Sequence, residues 1–311
     1  MKRTNRLSIG GLRRMVATTA SESQEVRAHF GDPFRFLPIN KVHRPPSGQF
    51  EAEHFQQSEL LDLTLVIPFY NPGASLKPQM AKTIEVLRAS GVSFEVIAVC
   101  DGSTDNSEQS IMGMDQDVLR VIQLDRNRGK GEALRVGLSK GRGRYLGFID
   151  ADGDIPAKVL VPFLALMRLY EPDVILGSKR HPMSDVVYPF TRRIFSFGYQ
   201  MLIRWMFHLN IRDTQTGIKL VRREVVEAVL PLMVERGYAF DLELFVVARS
   251  LGYARFFEAP VTINERFTST VSSKAVAAML LDTCAIFWRL RFSHYYREVL
   301  QSQAAASADD D

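Results

Sequence analysis

Two carboxylates, Asp150 and Asp152, follow directly on the mostly apolar run Tyr145 to Ile149, and Asp154 continues the same spacing. An apolar run of this kind reads as a strand buried on both faces of an α/β sheet, and ligands gather just outside the carboxyl ends of such strands. At an extended strand end the side-chain period of two sends Asp150 and Asp152 to the same side. Carboxylates that close repel one another. A hard divalent cation, Mg2+ or Mn2+, relieves that repulsion, because it prefers oxygen ligands, keeps several waters and bridges to phosphates. The three acids also match positions one, three and five of a calcium-binding EF-hand loop. Ile155 stands where that loop needs Gly and Val161 where it needs Glu, which excludes it. A metal-diphosphate site and a solvated acidic turn are the two readings left.

The elements that must position these acids are legible on either side. Leu63 to Ile67 is expected to be a strand stopped by Pro68, and Leu76 to Ser90 a helix capped by Gly91. Strands are expected over Phe94 to Val99, Leu119 to Leu124, Tyr145 to Ile149 and Val174 to Leu176. Helices are expected over Gly131 to Lys140 and Ala157 to Tyr170. Alternation of this kind predicts an α/β fold, a mostly parallel sheet flanked by helices. Three polar turns then meet at one sheet edge: Pro68 to Pro72, Asp101 to Asp105, and Asp150 to Asp154. A fourth, Asn127 to Gly131, is basic and leads into a helix N-terminus, where Lys130 could meet a diphosphate. It is not a Walker A loop, since no Gly lies six residues before Lys130 with Ser or Thr after it, nor a dinucleotide fingerprint, since position 134 is Leu.

The chain has 311 residues and a net charge of +4, unevenly spread. Residues 179–223 hold nine Lys or Arg against two acids, a local field that suits an anionic ligand or membrane surface rather than a nucleic acid. Cys100 and Cys284 provide no disulfide framework or metal cluster. Residues 1–60 are basic at their start and lack a hydrophobic period, and are expected to be a largely disordered extension. Residues 301–311 are expected to be a disordered tail. Arginines interrupt every candidate signal peptide, and no apolar window is long enough to span a membrane.

Taken in this order, the turns resemble the family-2 glycosyltransferases of GT-A fold, and among them the polyprenyl- or dolichyl-phosphate hexose synthases. The likeness covers roughly Leu63 to Arg291. It rests on Pro68-Phe-Tyr-Asn71, Asp101-Gly-Ser-Thr-Asp105, Asn127 to Gly131, Asp150-Ala-Asp152 and Gly177-Ser-Lys-Arg180. The more specific part is Arg212-Asp-Thr-Gln-Thr-Gly217 followed by Ala239-Phe-Asp-Leu-Glu-Leu244, blocks most similar to the dolichyl-phosphate glucose synthases. The resemblance implies Pro68 and Tyr70 at the nucleoside, Asp101 on the nucleotide and Lys130 near base or phosphate. It implies Asp150 and Asp152 on metal and diphosphate, with Asp154 as a third ligand or sugar contact. Pro72 and Cys100 stand where the family carries acids that contact the nucleotide, which bears on base identity. The expected donor is UDP-glucose, with GDP-mannose next. The implied domains are 61–265 for the transferase and 266–300 for amphipathic helices at a membrane interface.

The acceptor side is read from Thr191 to Leu209. Arg192, Ser196, Gln200, Arg204 and His208 recur every four residues among apolar neighbours, a slanted polar stripe on an otherwise apolar cylinder. Ala275 to Phe292 is similar. Both suit helices lying in a membrane interface, with paired core helices as the alternative. The resemblance places Arg192 and Ser196 on the phosphate of a polyprenyl phosphate acceptor, and Arg180 and Arg266 are further candidates. A lipid phosphate is already ionised near neutral pH and needs no general base. The catalytic set is then Asp152, Asp154 and Arg192, acting peripherally at the cytoplasmic face of a membrane. A hydroxyl acceptor would need a base, Asp241 or Asp154. A sugar-nucleotidyltransferase would need a glycine-rich loop after the first strand, which is missing. A non-catalytic nucleotide- or lipid-binding protein would have no use for the acid pair.

Overall fold

The computed structural model describes residues 60–184, 190–263 and 273–309, with the side chains of 190–196, 273–275 and 303–309 left aside. Its strands are β1 (Leu61–Phe69), β2 (Phe94–Cys100), β3 (Leu119–Gln123), β4 (Gly143–Ile149), β5 (Val174–Ser178), β6 (Ile218–Arg222) and β7 (Phe256–Pro260). Its helices are α1 (Leu76–Ser90), α2 (Lys130–Ser139), α3 (Leu160–Tyr170), α4 (Phe190–Phe207), α5 (Arg223–Val229), α6 (Phe240–Ser250), α7 (Ser273–Arg291) and α8 (Tyr295–Asp309). The described strands form one sheet in the order β3-β2-β1-β4-β6-β5-β7. β1, β2, β3 and β4 are mutually parallel, β5 pairs β7 in parallel, and β6 runs antiparallel between β4 and β5. The expected mostly parallel, helix-flanked sheet is therefore present.

Alternation along β1 explains its continuous apolar run. Leu63, Leu65 and Ile67 enter a core shared with α1 and α3, while Val66 enters a second core shared with α2 and α6. Both faces are covered, and the polar residue between Leu63 and Leu65, Thr64, is buried with its hydroxyl donating to Glu95 Oε1 at 2.8 Å. Ile286 of α7 and Tyr296 of α8 join the second core, so these two helices pack on the body built around the sheet.

Three expectations need correction. Pro68 does not stop β1: the strand continues to Phe69, paired with Cys100. Pairing with β4 ends at Val66, so the N–H that Pro68 lacks falls where that ladder has already ended. The Ala157 to Tyr170 segment begins as a 3-10 turn, Ala157–Val159, before α3. Of the tail expected to be disordered, 301–309 continues α8 as helix, consistent with the high helix propensity of Ala304, Ala305 and Ala306. The extension up to residue 59 lies outside the described residues.

Candidate active site

Because β1, β2 and β4 are parallel, the turns that follow them open on the same sheet edge, as their order in the chain requires. Side chains lace the first two together. The Asn71 N–H donates to Ser103 Oγ at 3.0 Å, and the Thr104 N–H donates to Asn71 Oδ1 at 2.7 Å. Asp105 Oδ2 accepts the Gly73 N–H at 2.8 Å. Asn71 holds φ 49°, a left-handed conformation that Asn tolerates better than most residues. Tyr70 is exposed beside it, whereas Pro68 is buried in β1. Cys100 is buried too, and its Sγ accepts the Ser103 N–H at 3.4 Å.

Asp101 couples the second turn to the fourth. Its Oδ1 accepts the Arg128 N–H at 2.7 Å and its Oδ2 the Gly129 N–H at 2.9 Å. Two charge-assisted bonds from one buried carboxylate fix the backbone just before Lys130. The fixed turn delivers Lys130 to the acids, with Nζ 2.5 Å from Asp150 Oδ1. Burial alone would lower the Lys130 ammonium, but Asp150 and Asp241 outweigh it and raise it well above the usual lysine range. Lys130 therefore stays charged.

Asp150 is also fixed from the other side. Its N–H donates to the Gly217 carbonyl at 3.0 Å, and a Cβ built on Gly217 would lie 2.1 Å from Asp150 Oδ2. The Gly in the Thr216-Gly217 step leaves room for the carboxylate. Gly217→Ala is expected to displace Asp150 by on the order of 1 Å and reduce turnover about 100-fold. Turnover at saturating donor, beside a melting curve, checks this; full activity in a folded variant would refute the close approach.

Asp152 Oδ1 accepts the Asp154 N–H at 3.0 Å, which curls the turn back on itself. Loss of solvent in the turn raises the Asp152 and Asp154 carboxyls, and the neighbouring acids add to the rise in both. Among the described residues no three acidic, His or Cys side chains converge as a ready metal cage. What the turn offers is a small set of carboxylates in mutual repulsion, one of them engaged by Lys130. That donor set fits Mg2+ or Mn2+, which take one or two protein carboxylates and complete their shell with water and phosphate.

Behind the acids lies a fully buried cation. Lys219 Nζ is 3.0 Å from Asp241 Oδ1 and donates to the Thr216 carbonyl at 2.8 Å. The rings of Phe148 and Phe245 flank it at 5.1 and 5.8 Å. Burial lowers its ammonium pKa, so Lys219 depends on Asp241 for its charge. Glu243, also fully buried, accepts the N–H groups of Val234 at 2.8 Å and Glu235 at 2.7 Å, and the Tyr296 hydroxyl at 2.7 Å. The sequence leaves Asp241 and Glu243, two apart, as an internal salt bridge or as contacts to sugar hydroxyls or Arg212. Asp241 makes the salt bridge, to Lys219, and on α6 the two side chains diverge.

Arg212 and Asp213 brace the far side. The Arg212 N–H donates to Glu258 Oε1 at 2.8 Å, and Asp213 Oδ2 accepts the Lys179 N–H at 3.0 Å. Arg180 donates to Gln200 of α4, and Gln200 Nε2 donates to the Ile211 carbonyl at 3.3 Å. Gln200 therefore turns inward from the expected polar stripe. Arg204 and His208 remain exposed, alongside Phe197, Met201 and Trp205. α4 packs on α7 through Tyr199 Oη and Thr283 Oγ1 at 2.9 Å; α7 exposes Leu281 and Trp288, and Phe292 just past its end is exposed as well. The side chains of Arg192 and Ser196, and all of Arg266, lie outside the described residues. Among the described residues no helix is long and apolar enough to cross a membrane.

A helix-flanked sheet with an antiparallel strand inserted beside a parallel half, and turns gathered around acids and a lysine at the parallel edge, has the GT-A architecture of glycosyltransferases. Residues 64–230 match the family described as glycosyl transferase family 2, and the chain belongs to that family. It is 31% identical over 218 residues to dolichyl-phosphate beta-glucosyltransferase of Drosophila melanogaster, covering 63% of this chain and 65% of that protein. It therefore spans just under two thirds of that relative's length. The human protein of the same name is 29% identical, with 88% of this chain and 87% of that one covered. Among solved structures, glucosyl-3-phosphoglycerate synthase from Mycobacterium tuberculosis with UDP gives a TM-score of 0.57 at 17% identity, covering 92% of this chain and 85% of that one. The same enzyme with Mn2+, UDP and glucosyl-3-phosphoglycerate gives 0.55 at 17% identity, over 93% and 85%. At such identity these likenesses establish the fold alone.

Proposed function

We propose that this chain is an inverting hexosyltransferase that moves glucose from UDP-glucose to a polyprenyl phosphate of the dolichyl type, giving a β-linked lipid-phosphate sugar. The observation that carries the reading is the convergence of Lys130 on Asp150, beside Asp152, at the edge where the β1 and β2 turns also open. The names of the curated relatives supply the sugar and the acceptor class, and the UDP-bound fold relatives support the base.

Tyr70, with Pro68 behind it, borders the nucleoside, and Asp101 holds the turn that carries Lys130 to the diphosphate. Asp150 and Asp152, with Asp154 as third ligand or sugar contact, would hold a divalent cation, which when bound would supply positive charge for the departing nucleoside diphosphate. Arg192 and Ser196, with Arg180 and Arg266, receive the acceptor phosphate. One oxygen of that phosphate attacks the anomeric carbon, the bond to the diphosphate breaks, and configuration inverts. The nucleophile is already ionised, so no protein base is required. The commitment of buried Asp241 to Lys219 supports this, since the hydroxyl-acceptor alternative would look to Asp241 as its base. The outward apolar residues of α4 and α7 would seat the enzyme on the cytoplasmic face of a membrane.

The test incubates purified protein with radiolabelled UDP-glucose or GDP-mannose, Mg2+ or Mn2+, and polyprenyl phosphate. Label from UDP-glucose is expected in the organic extract. Label transferred to a product that stays in water would sink the lipid reading, and transfer from GDP-mannose alone would reassign the donor. In the same assay Arg192→Ala is expected to raise the lipid-phosphate KM about tenfold or more, as loss of a charged hydrogen bond implies, with little change in donor KM.

A further inference from the structure

Lys130 stands on a turn that α2 does not hold by itself. A Cβ on Gly129 would come 2.5 Å from the Arg236 carbonyl oxygen, and one on Gly131 would come 2.7 Å from it. The turn and segment 233–237 are thus in backbone contact. The Arg236 carbonyl accepts the Glu132 N–H at 3.1 Å, and Arg135 donates to the carbonyls of Met233 at 2.9 Å and Leu230 at 3.2 Å. Segment 230–236 is therefore a floor under the first two turns of α2.

The floor is hung from the C-terminal helices. Glu243 of α6 accepts the Val234 and Glu235 N–H groups on one oxygen and the Tyr296 hydroxyl of α8 on the other. Arg289 of α7 pairs with Glu235, and its Nη2 lies 3.8 Å from Glu243 Oε1. Two nearby carboxylates, one of them fully buried, share this guanidinium. Removing Arg289 would leave both short of a counter-charge, and Glu235 could gain solvent only by carrying the floor with it.

We propose that Glu243, Arg289 and Tyr296 are positioning residues for the Lys130 turn, so that α7 and α8 help set how tightly the nucleotide donor is held. The role rests on the donor reading given above. None of the three touches the acids at 150–154 in the contacts described, and each acts through segment 233–237.

The experiment uses the full chain and compares wild type with Arg289→Met, Arg289→Lys and Tyr296→Phe. Binding of UDP with Mn2+ is measured by calorimetry, and KM is measured separately for donor and polyprenyl phosphate. Arg289→Met is expected to weaken UDP binding and raise donor KM about tenfold, the scale of a lost supporting contact, with lipid KM nearly unchanged. Arg289→Lys is expected to recover most of the loss. Tyr296→Phe, which removes one hydrogen bond, is expected to raise donor KM about threefold without unfolding the chain. Unchanged UDP binding in Arg289→Met and Tyr296→Phe would overturn the proposal, as would equal losses toward donor and lipid. Hydrogen exchange at residues 128–132 supplies a readout that needs no donor. Faster exchange there in Arg289→Met, with wild type not binding UDP, would support the positioning role while removing the UDP-sugar donor reading. Wild-type protection there would overturn the positioning role itself.

Discussion

Asp152→Asn is expected to lower turnover by about 1000-fold, a loss of about 4 kcal/mol of transition-state stabilisation, while leaving the fold intact. Its one described hydrogen bond accepts the Asp154 N–H, which the Asn carbonyl can still accept. Folding raises the Asp152 carboxyl, first through lost solvent and then through Asp150. A carboxyl raised on folding contributes stability at pH below its unfolded value and loses it as pH rises through the folded value. At neutral pH its ionised form is therefore a cost that Asn removes, and melting is expected at the wild-type temperature or slightly above. The activity loss has a separate origin: the amide keeps an oxygen but loses the negative charge that competes for a divalent cation. Titrating Mg2+ or Mn2+ against turnover in both proteins checks the assignment. Wild-type turnover in the variant at limiting metal would remove Asp152 from the donor set.

The parts legible in the sequence were those whose physics is local. Asp101, Lys130 and Asp150 each follow or precede a parallel strand, and parallel strands leave little freedom in where their carboxyl ends open. The helix Leu76–Ser90 was legible because its period and the Gly91 cap are both written in one short local stretch. β6 was not, because five residues entering antiparallel between β4 and β5 carry no local mark of their partners. That insertion sets Gly217 against Asp150 and buries Lys219 behind it. The Glu243 cluster was equally hidden: its partners Tyr296, Arg289 and Val234 lie on three separate segments, joined only by packing. The polar stripe on α4 was half right, since Gln200 turns inward while Phe197, Met201 and Trp205 face out. A fourfold spacing places residues on one stripe of a helix, but the side of the protein that the stripe faces is a tertiary fact.

Lys219→Met is expected to produce the largest loss of stability, about 3–5 kcal/mol, because it leaves Asp241 buried without its cation. For a chain of this size that corresponds to a fall of roughly 10 °C in melting temperature. Met has nearly the volume of Lys and suits the space between Phe148 and Phe245, so the loss reports charge rather than a cavity. Unchanged melting in this variant would mean that the pair contributes nothing to the fold. The double change Lys219→Met with Asp241→Leu removes both charges and is expected to recover most of the stability, since apolar replacement of a buried ion pair is often neutral or better. Turnover by that double variant then separates the two acceptor chemistries. If the nucleophile arrives as an ionised phosphate, the stable double variant keeps transferring sugar, with at most the loss caused by a weaker field behind Lys130 and Asp150. A stable double variant that cannot transfer sugar would return Asp241 to the reaction as a base, and with it an acceptor that must lose a proton.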